Sequence, residues 1–155
     1  MKFIVDHNVG KLVKWLRMLG YDTDFFTSED DWQMVICALR ENRIILTKDT
    51  GIMKYGVVDN GKVKAVHIDS NDPEEQIRQV NNFLDLDLHD GLFTRCMECN
   101  NLLEQRTVAE VKDRVPPYVY KTQEEYMECP VCNRIYWKGT HWQAMVEKLQ
   151  KFTGS

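Results

Sequence analysis

The chain has 155 residues, 43% hydrophobic and 28% charged, with a formal net charge of -4. That balance excludes a disordered tail and an indiscriminate binder of polyanions. No apolar run approaches the roughly 20 residues that cross a bilayer, and the N-terminus lacks a signal-peptide pattern, so a cytoplasmic location is the expectation.

Phe3-Ile4-Val5 is an apolar run that stops at Asp6, and residues 2–5 read as a buried strand. Val9, Leu12, Val13, Leu16 and Leu19 recur at helical spacing, which predicts an amphipathic helix within 9–20, capped by Gly20. "TDFFT" reads as a second strand. Asp30 is placed to cap a helix through 31–42, with Gln33 in capping-box position. "RIILT" is a third strand and "KVKAVHI", after a turn at Gly61, a fourth. Asp72 caps a helix that begins at Pro73 and carries Glu74 and Glu75 in its first turn, with Ile77, Val80, Phe83 and Leu84 as its apolar stripe. Strands alternating with helices predict a parallel sheet in an α/β fold. Beyond it come cysteines, "VPPYVY" and a last helix from Thr140 to Phe152.

Charge divides the chain at the same place. Residues 1–94 hold 11 Lys/Arg against 16 Asp/Glu, and residues 95–155 hold 9 against 8. The division predicts an α/β domain over 1–93 and a small module over 94–155.

Ligands of open parallel sheets bind beyond the carboxyl ends of the strands. Asp6 ends the first strand and Asp49 lies just past the third, so neighbouring strands would aim both carboxylates into one crevice. Asp30 reads as a helix cap, which leaves Asp31, in the first turn, as the better third acid. Clustered carboxylates repel unless one is protonated or a cation lies between them, and an all-oxygen set suits Mg²⁺ or Mn²⁺. Such a cation activates water and neutralises a phosphodiester. The plainer reading of each Asp is a turn former. Lys11, Lys14 and Arg17, spaced by three, either meet phosphates at the crevice mouth or form a solvated face. Asn8 either holds a phosphate oxygen or shapes a turn.

Cys96, Cys99, Cys129 and Cys132 form two C-x-x-C knuckles, each followed by Asn. Four thiolates at this spacing predict a closed structural zinc site, the staple that so small a module needs. Asn after each second Cys tolerates the left-handed backbone of a knuckle. Residues 100–128 have room for a hairpin or a short helix between the knuckles, and Cys37 reads as a core residue. Arg95, Arg106, Lys112, Arg114, Arg134 and Lys138 make the module basic. Tyr136 and Trp137 either stack on bases or pack its core. His141, close to Lys138, is a further candidate substrate contact.

"FIVDHNVGKLVKWLRMLGYDT", "RIILTKD", "CMECN", "CPVCN", "VPPYVY" and "YWKGTHW" occur in this order. Together they resemble the Mut-seven C-terminal RNase domain family, over about residues 2 to 145. The resemblance implies a PIN-like nuclease fold with an appended zinc ribbon. It implies a ribonuclease whose Asp6 and Asp49, assisted by Asp31, bind Mg²⁺ or Mn²⁺, and whose partner is single-stranded RNA. The fourth acid of PIN sites is not placed, Asp69 being a weak match. Lys48 stands where the family usually has Arg, Thr50 where it has a basic residue and Thr140 where it has Ser. Lys48 therefore joins the residues expected to meet RNA, at a rim of reduced charge.

Two readings follow. The first is a metal-dependent ribonuclease whose zinc ribbon grips RNA. The second is a catalytically weak RNA- or ribosome-binding module. A receiver-like phosphoacceptor domain would also place acids at strand ends, but leaves the cysteines unexplained.

Overall fold

A computed structural model describes residues 1–153. Strands β1 (Lys2–Asp6), β2 (Asp22–Phe26), β3 (Ile44–Thr47) and β4 (Ala65–His67) form one parallel sheet in the order β2-β1-β3-β4. Between them run α1 (Leu12–Met18), α2 (Asp31–Glu41) and α3 (Gly56–Asp59), and α4 (Pro73–Leu84) follows. The fold is α/β, as the alternation predicted.

Strand parity sorts the core into two layers, because successive side chains leave a strand on opposite faces. Phe3, Val5 and Leu46 face α1 and α4, in a cluster with Leu12, Leu16, Ile77 and Val80. Ile4 and Ile45 face α2, in a second cluster with Met34, Val35, Ala38 and Ile52. Burying each such side chain stabilises the fold by about 1.5–3 kcal/mol before entropy is counted.

The helices begin and end where chemistry allows. Tyr21 N–H donates to Leu16 O and Gly20 N–H to Arg17 O, a Schellman stop with Gly20 at φ +92°. The first helix is shorter than its periodicity suggests. Asp6 accepts from His7 N–H and starts a 3-10 turn over His7–Val9, so the α-helix proper begins at Leu12. Asp30 caps α2 as predicted, accepting from Trp32 and Gln33 N–H. Its own N–H donates to the Ser28 hydroxyl rather than to Gln33, so there is no reciprocal capping box. Asp72 and Pro73 open α4 as predicted.

The C-terminal part holds a second, antiparallel sheet, β5 (Glu104–Arg106), β6 (Tyr126–Glu128) and β7 (Ile135–Tyr136), with a 3-10 turn over Ala109–Val111. Helix α5 (Pro117–Thr122), opened by its proline, lies between β5 and β6. The last helix, α6 (Thr140–Thr153), packs on α4: Leu149 is buried in the first core cluster, and Arg78 Nε donates to Phe152 O at 2.7 Å. No helix among the described residues is long and apolar enough to cross a membrane.

Candidate active site and four-cysteine cluster

The order β2-β1-β3 places the reversal of strand order between β1 and β3, where parallel sheets bind ligands. Asp6 pairs with Phe26 of β2 and has the parity of Ile4, so its carboxylate points to the α2 face. Thr47 has the parity of Ile45 and points the same way. Its hydroxyl donates to Asp6 Oδ2 at 2.7 Å and accepts from Asp49 N–H at 3.0 Å. Asp6 is 2% exposed and Thr47 fully buried, so this link is fixed. Asn8 Nδ2 donates to the same Asp6 oxygen at 3.2 Å, and Asn8 Oδ1 accepts from Lys48 N–H at 3.1 Å. Asn8 thus ties the loop after β1 to the loop after β3.

Asp49 starts a 3-10 turn over Thr50–Lys54 and accepts from Gly51 N–H at 2.8 Å. Asp31 reaches it from the first turn of α2. Burial, a hydrogen bond with Asp49, and the charges of Asp49, Asp6 and Asp30 push the Asp31 carboxyl up to about 6. The structure therefore brings Asp6, Asp31 and Asp49 together beyond the carboxyl ends of β1 and β3, with the exposed Asn8 beside them. Asp69, past the end of β4, is instead hydrogen-bonded to Gln79 of α4. Thr47 was missed in the sequence. Its signal was available, because it shares its face with Ile45 and stands two residues before Asp49.

The candidate phosphate contacts divide. Lys11 is exposed at the start of α1. Lys48 is in the crevice loop and its ammonium is bonded to Asn71. Lys14 pairs with Glu98 at 3.3 Å. Arg17 is not at the crevice. It is buried, and it donates to Thr23 O at 3.0 Å, Met97 O at 3.0 Å and Glu98 O at 3.1 Å. Lys138 lies over the rings of Phe93 and Trp142 and pairs with Glu125 at 3.2 Å, while His141 is exposed in the first turn of α6.

The four cysteines come together from the two knuckles. Their sulfurs all lie within 4.8 Å of one another, and the thiols are free. Asn100 at φ +70° and Asn133 at φ +62° adopt the left-handed conformation predicted for them. Cys99 N–H points to Cys96 Sγ at 3.3 Å and Cys132 N–H to Cys129 Sγ at 3.5 Å. Backbone N–H groups aimed at sulfur favour thiolates, and the Arg134 N–H is the main cause that draws the Cys132 thiol down to about 7. The cluster is suited to hold one metal ion. Asp6, Asp31 and Asp49 are not gathered as tightly as these sulfurs. A hard cation that keeps several of its waters does not require carboxylates in mutual contact.

The knuckles sit at the other end of the sheet from the acids. Asn100 accepts from Thr23 N–H at 2.8 Å and donates to Asp22 at 2.7 Å, both at the start of the edge strand β2. Arg95 donates to Gly20 O at 3.1 Å. Two of the module's cations serve the module itself: Arg106 and Arg114 both bond Glu128, at 2.9 and 2.7 Å. Tyr136 places its hydroxyl 3.1 Å from Cys96 Sγ, and Trp137 packs on the small core of Val111, Val119 and Tyr126.

A parallel α/β sheet with acids at its switch point and an antiparallel module built on four thiols define a two-part architecture. Residues 1–149 match the family model of the Mut7-C RNAse domain, and the chain belongs to that family. No curated protein and no solved structure matches it.

Proposed function

We propose that this protein is a metal-dependent ribonuclease that hydrolyses RNA phosphodiester bonds in the crevice of Asp6, Asp31 and Asp49. The observation that carries the reading is the hydroxyl of Thr47, which joins the Asp6 carboxylate to the Asp49 backbone beside Asp31. Family membership supports the activity class. Asp6 and Asp49 are the main ligands for Mg²⁺ or Mn²⁺, and Asp31 assists. When bound, that cation supplies charge neutralisation at the phosphodiester and acidifies an attacking water. Thr47 and Asn8 hold the Asp6 carboxylate in one orientation. Lys11 and Lys48 meet backbone phosphates at the rim.

The four cysteines hold zinc, which fixes both knuckles. Their bonds to α1 and β2 make the ribbon a buttress of the sheet. Its exposed polar side chains, among them His141 and Lys112, are where it would grip RNA.

End-labelled single-stranded RNA incubated with Mn²⁺ or Mg²⁺ tests the proposal. Cleavage should vanish on chelation and fall at least a hundredfold in Asp6→Asn and Asp49→Asn. Equal cleavage by all three proteins would sink the assignment. RNA bound without any cleavage would favour the binding module.

A further inference from the structure

Trp32 is 46% exposed although it stands in the first turn of α2, directly after Asp31. Its ring is not loose on the surface. It stacks on Tyr55 with centroids 5.5 Å apart and planes 26° from parallel. Tyr55 is half-buried and packs against the cluster of Ile4, Met34 and Ile52. The order from the interior outward is therefore core, Tyr55, Trp32, solvent. One face of the indole is held, and the opposite side is open.

The same two segments make both the acid contact and the aromatic contact. Asp31 and Trp32 are consecutive on α2. Asp49 and Tyr55 stand at the two ends of the 3-10 turn over Thr50–Lys54, on the order of 12 Å apart along its axis. The stack of Trp32 on Tyr55 holds the end of this turn against α2. The aromatic face is thus held beside the acids, Trp32 following Asp31 directly on α2 and Tyr55 closing the turn that Asp49 opens.

We infer that the Trp32–Tyr55 stack is a platform for one unpaired nucleobase of the RNA strand, which fixes the phosphodiester presented to Asp6, Asp31 and Asp49. The inference rests on the ribonuclease reading of that crevice. An indole face recognises the π-surface common to all four bases, so the platform reads little sequence. It requires a base whose face is free, which a base stacked inside a duplex does not offer. The substrate class is accordingly single-stranded RNA of relaxed sequence. Trp32 acts as a positioning residue, with Tyr55 as its rigid support.

Binding of labelled oligoadenylate, and of the same strand with abasic nucleotides, tests this on the zinc-loaded protein with Mn²⁺ and Mg²⁺ omitted. Trp32→Ala should weaken binding of the base-bearing strand roughly tenfold or more. It should leave the abasic strand unchanged, and Trp32→Phe should recover most of the loss. With Mn²⁺ present, Trp32→Ala should raise KM for the base-bearing strand more than it lowers kcat. Thermal melting checks that each variant is folded. Wild-type affinity in Trp32→Ala, or an equal loss on the abasic strand, would overturn the platform. Because binding is read without Mn²⁺ or Mg²⁺, failure of the acid site is scored separately. Cleavage that survives Asp6→Asn would remove the nuclease reading, and a base-dependent loss in Trp32→Ala would still support the platform.

Discussion

The Thr47 hydroxyl donates to Asp6 Oδ2 at 2.7 Å, and Thr47 Oγ1 itself accepts from Asp49 N–H at 3.0 Å. One buried side chain thereby sets the spacing of two acids from different strands. Thr47→Val keeps the shape and removes both bonds. It should lower cleavage about ten- to hundredfold, the usual cost when a group that orients a metal ligand is lost. The Asp49 N–H loses its partner as well, so stability should fall by about 1–3 kcal/mol. Thr47→Ser retains the hydroxyl and should restore most of the rate. Wild-type kinetics in Thr47→Val would show that the alignment does not matter.

Thr23 N–H lies on the edge strand of the sheet, and its acceptor is Asn100 Oδ1 at 2.8 Å, in the turn of the first knuckle. An edge N–H held by the first knuckle should report the state of that knuckle. Metal analysis should find one zinc per chain. Its removal, or Cys96→Ser, should unfold β5–β7 and speed hydrogen exchange at Thr23. Asn100→Ala should speed exchange at Thr23 with the zinc still bound. Unchanged exchange at Thr23 after zinc removal would mean that the sheet does not depend on the ribbon.

Glu128 is 6% exposed and bonded by Arg114 and Arg106. The hydrogen bond from Arg114 is the largest favourable cause that pulls its carboxyl from 4.5 down to about 2, against the burial that opposes it. Above the ordinary value of 4.5 the carboxylate is ionised both folded and unfolded, and the pairing contributes in full. Below it the unfolded chain takes up a proton and the folded chain does not, so stability falls until the folded carboxyl also protonates near 2. Glu128→Gln should therefore be less stable than wild type at neutral pH, by on the order of 2 kcal/mol. The gap should close as pH falls through that window. The gap is read at pH values where the four cysteines still hold their metal, because its release would itself unfold β6. A gap independent of pH would refute the ionic origin.

The parallel sheet was legible because each apolar run is short, bounded and separated by a helical stripe. The crevice was legible for a related reason: Asp6 and Asp49 stand at the ends of the strands that the order places side by side. Asn100 and Asn133 announced their left-handed turns through the knuckle pattern. Other features had no local signal. The 3-10 turn in "TGIMKYG" has no periodicity, so the link from Asp49 to Tyr55 was invisible. Nothing in the spacing of the cysteines tells which end of the sheet receives the knuckles. That docking is decided by long-range bonds from Arg17, Arg95 and Asn100.

Arg17 shows how far spacing can mislead. It continues the series of Lys11 and Lys14, yet its guanidinium faces inward because three carbonyls of Thr23, Met97 and Glu98 converge where a planar fork can satisfy them. A lysine ammonium is a single point charge and does not match that geometry. Arg17→Ala leaves buried carbonyls without donors and should cost on the order of 3 kcal/mol of stability. Measured below its melting temperature, the variant should keep the salt dependence of RNA binding. Lys11→Ala should show the converse, with stability nearly unchanged and the slope of log K against log salt reduced by about 1. The two helical neighbours would then be separated by experiment as the structure separates them. A reduced salt slope in Arg17→Ala with undiminished stability would return that side chain to the RNA surface.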